Sequence, residues 1–152
     1  MDNVQLENII LADPISSKYF RGIYPADALP SLDDLELREG YVVMNTDVSS
    51  GLGLHWTVIY RNRGGSFEFW DSIGHPPEFY GRFFKNFFKA KEYTYATKAV
   101  QGANYTCGPF CIYYAYLKCR GYSLDDILHS LSNDNSYNDY YVVDFIERHF
   151  HV

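Results

Sequence analysis

Cysteine is scarce in this chain of 152 residues: there are three, at positions 107, 111 and 119. An odd number gathered on one stretch excludes a disulfide framework and fits a reducing compartment. Positive charge is also in short supply, since 13 Lys and Arg against 19 Asp and Glu leave a formal charge of -6. That balance sets aside nucleic-acid binding as the main business of the protein. No apolar run approaches the ~20 residues of a membrane-spanning helix. The opening "MDNVQLENIILADP" carries acids and amides where a secretory leader would be basic. A soluble, intracellular protein without a membrane partner is the expectation. Repeats, low-complexity stretches and linkers are missing too, so 1–152 is read as one domain, long enough to bury roughly two thirds of its unfolded surface.

Aromatic residues are abundant, with 15 Tyr and 11 Phe, which points to an aromatic core or groove and away from disorder. Residues 3–12 place Val4, Leu6, Ile9 and Ile10 between polar positions before Asp13-Pro14, a short amphipathic helix. "KYFRGIYPADALP" (18–30) reads as a loop pinned by its aromatics. "YVVMNT" (41–46) and "HWTVIYR" (55–61) read as strands on either side of a mobile turn, "SSGLG" (49–53). "RGGS" (63–66) then turns the chain into a return strand, "FEFWD" (67–71).

Aromatic pairs at helical spacing make "PEFYGRFFKNFFKAKE" (77–92) an amphipathic helix with Arg82, Lys85 and Lys89 on its wet face. "YTYATKAV" (93–100) returns to a period of two. "CGPFCIYYAYLKC" (107–119) is apolar nearly all round, a buried central helix closed at Gly121. Ser123 with Asp126 three residues on forms an N-cap pattern, and "NDYYVVDFIERHF" (138–150) makes the last helix. The expected fold is α+β, a central mixed sheet flanked by helices with the 107 helix buried against it.

Cys107 stands where Gly108 and Pro109 favour a tight entry and a first helical turn. A thiol there meets the unpaired N–H groups and positive end of the helix, which favour the thiolate. Cys111 and Cys119, deeper in the same helix, read as inert core. A thiol nucleophile needs a base, and the base needs an acceptor on its other nitrogen. His55 begins a strand after a Gly-Leu-Gly turn, and Asp71 ends the neighbouring one. If the two strands pair as a hairpin, Asp71 reaches His55. Gln101 could supply an amide donor to an oxyanion together with the Cys107 N–H, although a lone Gln-Gly is also an ordinary strand end. His75 is a weaker rival base in a loop. His129, His149 and His151 read as solvated. The cysteines lack the paired short spacings of structural zinc, so no metal is expected.

Taken together, His55-Trp56, "FEFWDSIG" with its acid at 71, and "VQG…CGPFC" (100–111) resemble the adenovirus maturation protease family. Through it they resemble the cysteine-protease clan that includes SUMO-deconjugating enzymes. The chain order His, acid, Gln, Cys is the family's, permuted relative to papain. "LENIILADPISSKYFRGIYPADALP", "VVMNTDVSSGLGLHW" and "DFIERHF" extend the likeness over most of the chain.

The resemblance implies an endopeptidase with Cys107 as nucleophile, His55 as base, Asp71 as orienting acid and Gln101 as oxyanion donor. It also implies a narrow groove bordered by Gly51, Gly53, Leu54, Trp56, Gly102 and Gly108. Its expected partners are viral capsid and core precursors. The expected location is the host cytoplasm, nucleus or virus factory and then the virion. The family acid is Glu, whereas this chain has Asp71, which the wider clan accepts. The family's DNA and disulfide-linked peptide activators are not carried over, because this chain is acidic and residues 86–106 hold no cysteine. We expect a monomer without cofactors, a compact relative from a virophage, a Polinton-like element or another small DNA virus. An isopeptidase of the same chemistry and a non-catalytic peptide-binding module stand as alternatives.

Overall fold

The computed structural model describes residues 1–151 apart from 32, 52–54 and 104. Asp2 caps the first helix, α1 (Asn3–Ala12), with a reciprocal capping box to Gln5. A capping box satisfies two orphan backbone donors at once. Asp13 then starts α2 (Pro14–Tyr19), with proline in the first turn where its missing N–H costs nothing.

Five strands follow the order β1 (Phe20–Tyr24), β2 (Gly40–Asn45), β3 (Trp56–Arg61), β4 (Phe67–Trp70) and β5 (Tyr93–Tyr95), and they are neighbours in that order. The outer pairs β1/β2 and β4/β5 are parallel; β2/β3 and β3/β4 are antiparallel, so the sheet is mixed.

Both faces of the sheet are covered, which is why β2 to β4 read as nearly continuous apolar runs. Tyr41, Val43, Val58, Tyr60 and Trp70 point to a core shared with α1, α4 (Cys107–Lys118), α5 (Leu124–His129) and α6 (Asn135–Phe150). Val42, Met44, Ile59, Phe67 and Phe69 point to a second core closed by 3-10 turns in the 26–36 segment and by α3 (Arg82–Phe88). Helix α4 lies across β3 with residues 107–115 all buried. Among the described residues no helix is long and apolar enough to cross a membrane.

The α+β expectation holds, and four local expectations are corrected. Residues 18–30 are not a loop: they contain the end of α2, the edge strand β1 and a 3-10 turn at Ala26–Ser31. The short strand escapes sequence reading because a register shift between Phe20 and Ile23, around Gly22 at φ +112°, breaks its alternation. The 77–92 segment is not one helix. A 3-10 turn (Pro77–Tyr80) stops at Gly81, whose φ of +106° no helix accommodates, and α3 begins after it. In 93–100 only three residues pair as a strand. The last helix also begins three residues before 138, capped by Asp134.

Candidate active site

The β3/β4 hairpin positions two of the side chains. Val58 lies opposite Trp70, so His55 and Asp71, just beyond the paired residues, emerge side by side. Their contact follows: His55 Nε2 lies 2.6 Å from Asp71 Oδ1, with the two residues only 8% and 1% exposed. The His55 carbonyl accepts the Thr46 N–H at 2.9 Å, which continues the β2 pairing to the base of the ring.

Asp71 is held by four donors. Oδ1 takes His55 and the Ile73 N–H at 3.0 Å; Oδ2 takes the His75 N–H at 3.1 Å and the Tyr80 hydroxyl at 2.5 Å. Burial alone would raise its pKa, but these bonds hold it below the ordinary carboxylate value.

The third side chain comes from a later element, 36 residues beyond Asp71. Cys107 opens α4, 6% exposed, where the His55 side chain and the main-chain N–H groups of Trp56 and Gly108 act on its thiol. With Nε2 engaged by Asp71, the ring nitrogen left for the sulfur is Nδ1. Burial works against the thiolate, yet the His55 bond and these N–H groups bring the thiol below its ordinary value. His55 responds in kind: burial lowers its pKa, but Asp71 and Cys107 outweigh that and raise it to about 9. The other thiols behave oppositely. Burial pushes Cys111 well above its ordinary value and Cys119 up to about 12. Cys107 is therefore the one thiol of the three whose acidity is raised, which is the condition a thiol nucleophile needs.

The segment before Cys107 is tied down from α6. Asp139 accepts the Gly102 N–H at 3.0 Å, the Ala103 N–H at 2.7 Å and the Thr106 hydroxyl at 2.9 Å. Gln101 is fixed at both ends of its amide. Its Oε1 accepts from Ser72 Oγ at 2.5 Å, and its Nε2 donates to the Ala103 carbonyl at 2.6 Å, which leaves one amide hydrogen over. Gln101 lies with His55 and Tyr80 along a cleft of about 690 Å³.

An open groove of about 740 Å³ contains Cys107 and His55, and Gly51, Trp56, Tyr105 and Gly108 are among its walls. Gly102 is not part of that lining; a Cβ there would meet Asp139 at 2.7 Å, so the residue faces α6. Gly53 and Leu54 lie outside the described residues. His75 gives Asp71 only its main-chain N–H and stacks its ring on Phe79 at 3.9 Å. Among the described residues no three His, Cys, Asp or Glu side chains converge as a metal site.

Tyr80, Ser72 and Asp139 escaped the sequence reading. Tyr80 is one of 15 tyrosines inside an aromatic run, and nothing in its neighbourhood separates it from the others.

No family model and no curated protein matches the chain. Solved structures do. The ASFV pS273R protease superposes with a TM-score of 0.65 at 17% identity over 93% of this chain and 66% of that one. The chain has the fold of the SUMO-protease-like cysteine-protease clan. The central domain of the uncharacterised Lpg1148 protein from Legionella pneumophila is similar over 99% of this chain and 97% of that one, with a TM-score of 0.53 at 18% identity. ChlaDub1 from Chlamydia trachomatis matches 72% of this chain and 58% of its own, with a TM-score of 0.50 at 14% identity. The chain thus spans just under two thirds of the ASFV protease. The neighbours indicate a protease fold of the cysteine type, shared with deubiquitinase-like proteins.

Proposed function

We propose that this chain is a cysteine endopeptidase that cleaves viral capsid and core precursors during virion maturation. The observation that carries the reading is the buried line Asp71, His55, Cys107 ending in a groove, with the one thiol of three whose pKa is lowered. Cys107 attacks the scissile carbonyl as a thiolate beside protonated His55, forming the C–S bond of a tetrahedral intermediate. The free amide hydrogen of Gln101 and the Cys107 N–H receive the developing oxyanion. His55 passes its proton to the departing amine as the C–N bond breaks. Water, deprotonated by His55, then releases the thioester. Asp71 stays ionised throughout and keeps the ring in place. Gly51, Trp56 and Gly108 flank the acyl chain.

The viral reading draws support from the sequence resemblance and from the likeness to a protease of ASFV. In this reading the enzyme acts as a monomer without cofactor or nucleic acid, in the infected cell's cytoplasm, nucleus or virus factory, and is packaged in the virion. The likeness to ChlaDub1 favours a second reading, an isopeptidase acting on ubiquitin-like modifiers.

Wild type and Cys107→Ala are incubated with particle precursor proteins, and separately with ubiquitin and SUMO carrying electrophilic C-termini, and the products are read by mass spectrometry. The endopeptidase reading expects new precursor termini with wild type alone. Adducts on Cys107 without precursor cleavage would select the isopeptidase. Equal cleavage by Cys107→Ala would end both.

A further inference from the structure

Among the described residues Asp71 is the only carboxylate bonded to His55, and what holds Asp71 is therefore of consequence for the thiol. Two of its four donors are main-chain N–H groups of its own turn, Ile73 and His75, and a third is His55 itself. The fourth, Tyr80, comes from the 3-10 turn Pro77–Tyr80, and its hydroxyl reaches Oδ2 at 2.5 Å. That ring is not free to swing. Its centroid lies 6.3 Å from Phe69 and 6.1 Å from Phe84, both fully buried, 5.2 Å from Phe79, and 5.8 Å from the His55 ring. Gly81, at φ +106°, lets the chain turn straight into α3, which carries Phe84, so the hydroxyl's position is set by the second core. Burial and the neighbouring carboxylate hold the phenol proton on, which makes Tyr80 a donor across the working pH range.

We infer that Tyr80 is a positioning residue for the cysteine chemistry: it locks the second oxygen of Asp71, so that the first stays aligned with His55. This rests on the cysteine-protease reading above. The ionisable groups acting on Asp71 are His55 just ahead of β3, Tyr80, and the thiol Cys111 of α4. Without the phenol, Oδ2 keeps only the His75 N–H. The carboxylate becomes easier to protonate and free to rotate, and both changes weaken its hold on the His55 proton. A less protonated imidazole stabilises the thiolate less.

The test needs no substrate. Iodoacetamide alkylation of Cys107 is followed by peptide mass spectrometry across pH for wild type, Tyr80→Phe and Tyr122→Phe, with melting temperatures alongside. Tyr80→Phe is expected to move the acid limb of the rate upward by about half to one pH unit, slowing alkylation about three- to tenfold on that limb, since thiolate fraction scales with the thiol's acidity. Tyr122→Phe, at an exposed tyrosine beyond the end of α4 opposite Cys107, is expected to leave the limb in place. A ring-fluorinated tyrosine at position 80, which keeps the shape and strengthens the donor, should move the limb the other way and serves if Tyr80→Phe does not fold. A merely structural tyrosine would lower the melting temperature and leave the limb unmoved, which would overturn the inference. Wild type that shows no alkylation below neutral pH would overturn the thiolate reading itself, and the inference with it.

Discussion

Asp13 joins the N-terminal helices to the segment just past α4, and its removal has a calculable effect. Its side chain starts α2 by accepting the Ser16 N–H at 3.1 Å and the Ser16 hydroxyl at 2.5 Å. It also takes both terminal nitrogens of Arg120, at 2.8 and 2.7 Å, 107 residues away. Arg120 follows α4 and lies over the Tyr116 ring at 3.4 Å. One carboxylate thus ties the N-terminal helices to the far end of the helix whose first residue is Cys107. Burial acts to raise its pKa, but Arg120 and Ser16 prevail and lower it from 3.8 to about 2. At about 1.4 kcal/mol for each tenfold change in proton affinity, that is about 2 kcal/mol of folding stability.

The sign follows from the direction. The folded value lies below the unfolded one, so the stabilisation is complete above 3.8 and disappears as pH falls through about 2. Asp13→Asn keeps a good helix cap while losing the ion pair. It should lower stability at neutral pH by about 2 kcal/mol, or the melting temperature by about 4–8 °C for a chain of this size. Urea unfolding followed by circular dichroism measures the gap between wild type and variant. The gap should close as the pH is lowered toward about 2. Equal stability at neutral pH, or a gap that persists in acid, would refute the reasoning.

Two further outcomes are expected at the site. His55 should titrate near pH 9 by nitrogen NMR, so the stabilisation it contributes is complete below 6.5 and lost as pH rises through about 9. Cys107→Ala removes one of the two groups that hold that proton, and the midpoint should drop; an unmoved midpoint would mean that sulfur and ring do not share charge. Asp139→Ala deprives the 102–106 segment of three hydrogen bonds to one carboxylate. A loss of about 2 kcal/mol is expected from the unpaired groups, with slower alkylation of Cys107. Reduced stability with an unchanged alkylation rate would show that this loop does not place the sulfur.

What the sequence determines by itself is whatever is encoded within a few residues. Gly108-Pro109 at the head of an apolar run marks the start of α4, Ser123 with Asp126 marks α5, and the turn at 63–66 with its flanking strands is enough to bring residues 55 and 71 together. The meeting of Cys107 with His55 could be expected only through resemblance, because the two stand 52 positions apart on different elements.

Tertiary structure alone decided the rest. Gly81 cuts a helix that the aromatic spacing supports, since backbone conformation there overrides the pattern around it. Strand β1 exists because β2 offers it an edge to pair with. Tyr80, Ser72 and Asp139 gain their places from partners 9, 29 and 33 to 37 residues away in sequence. A hydrogen bond across such a separation leaves no periodicity or cap signature in the chain, and one tyrosine or aspartate looks like another until packing has chosen its neighbours.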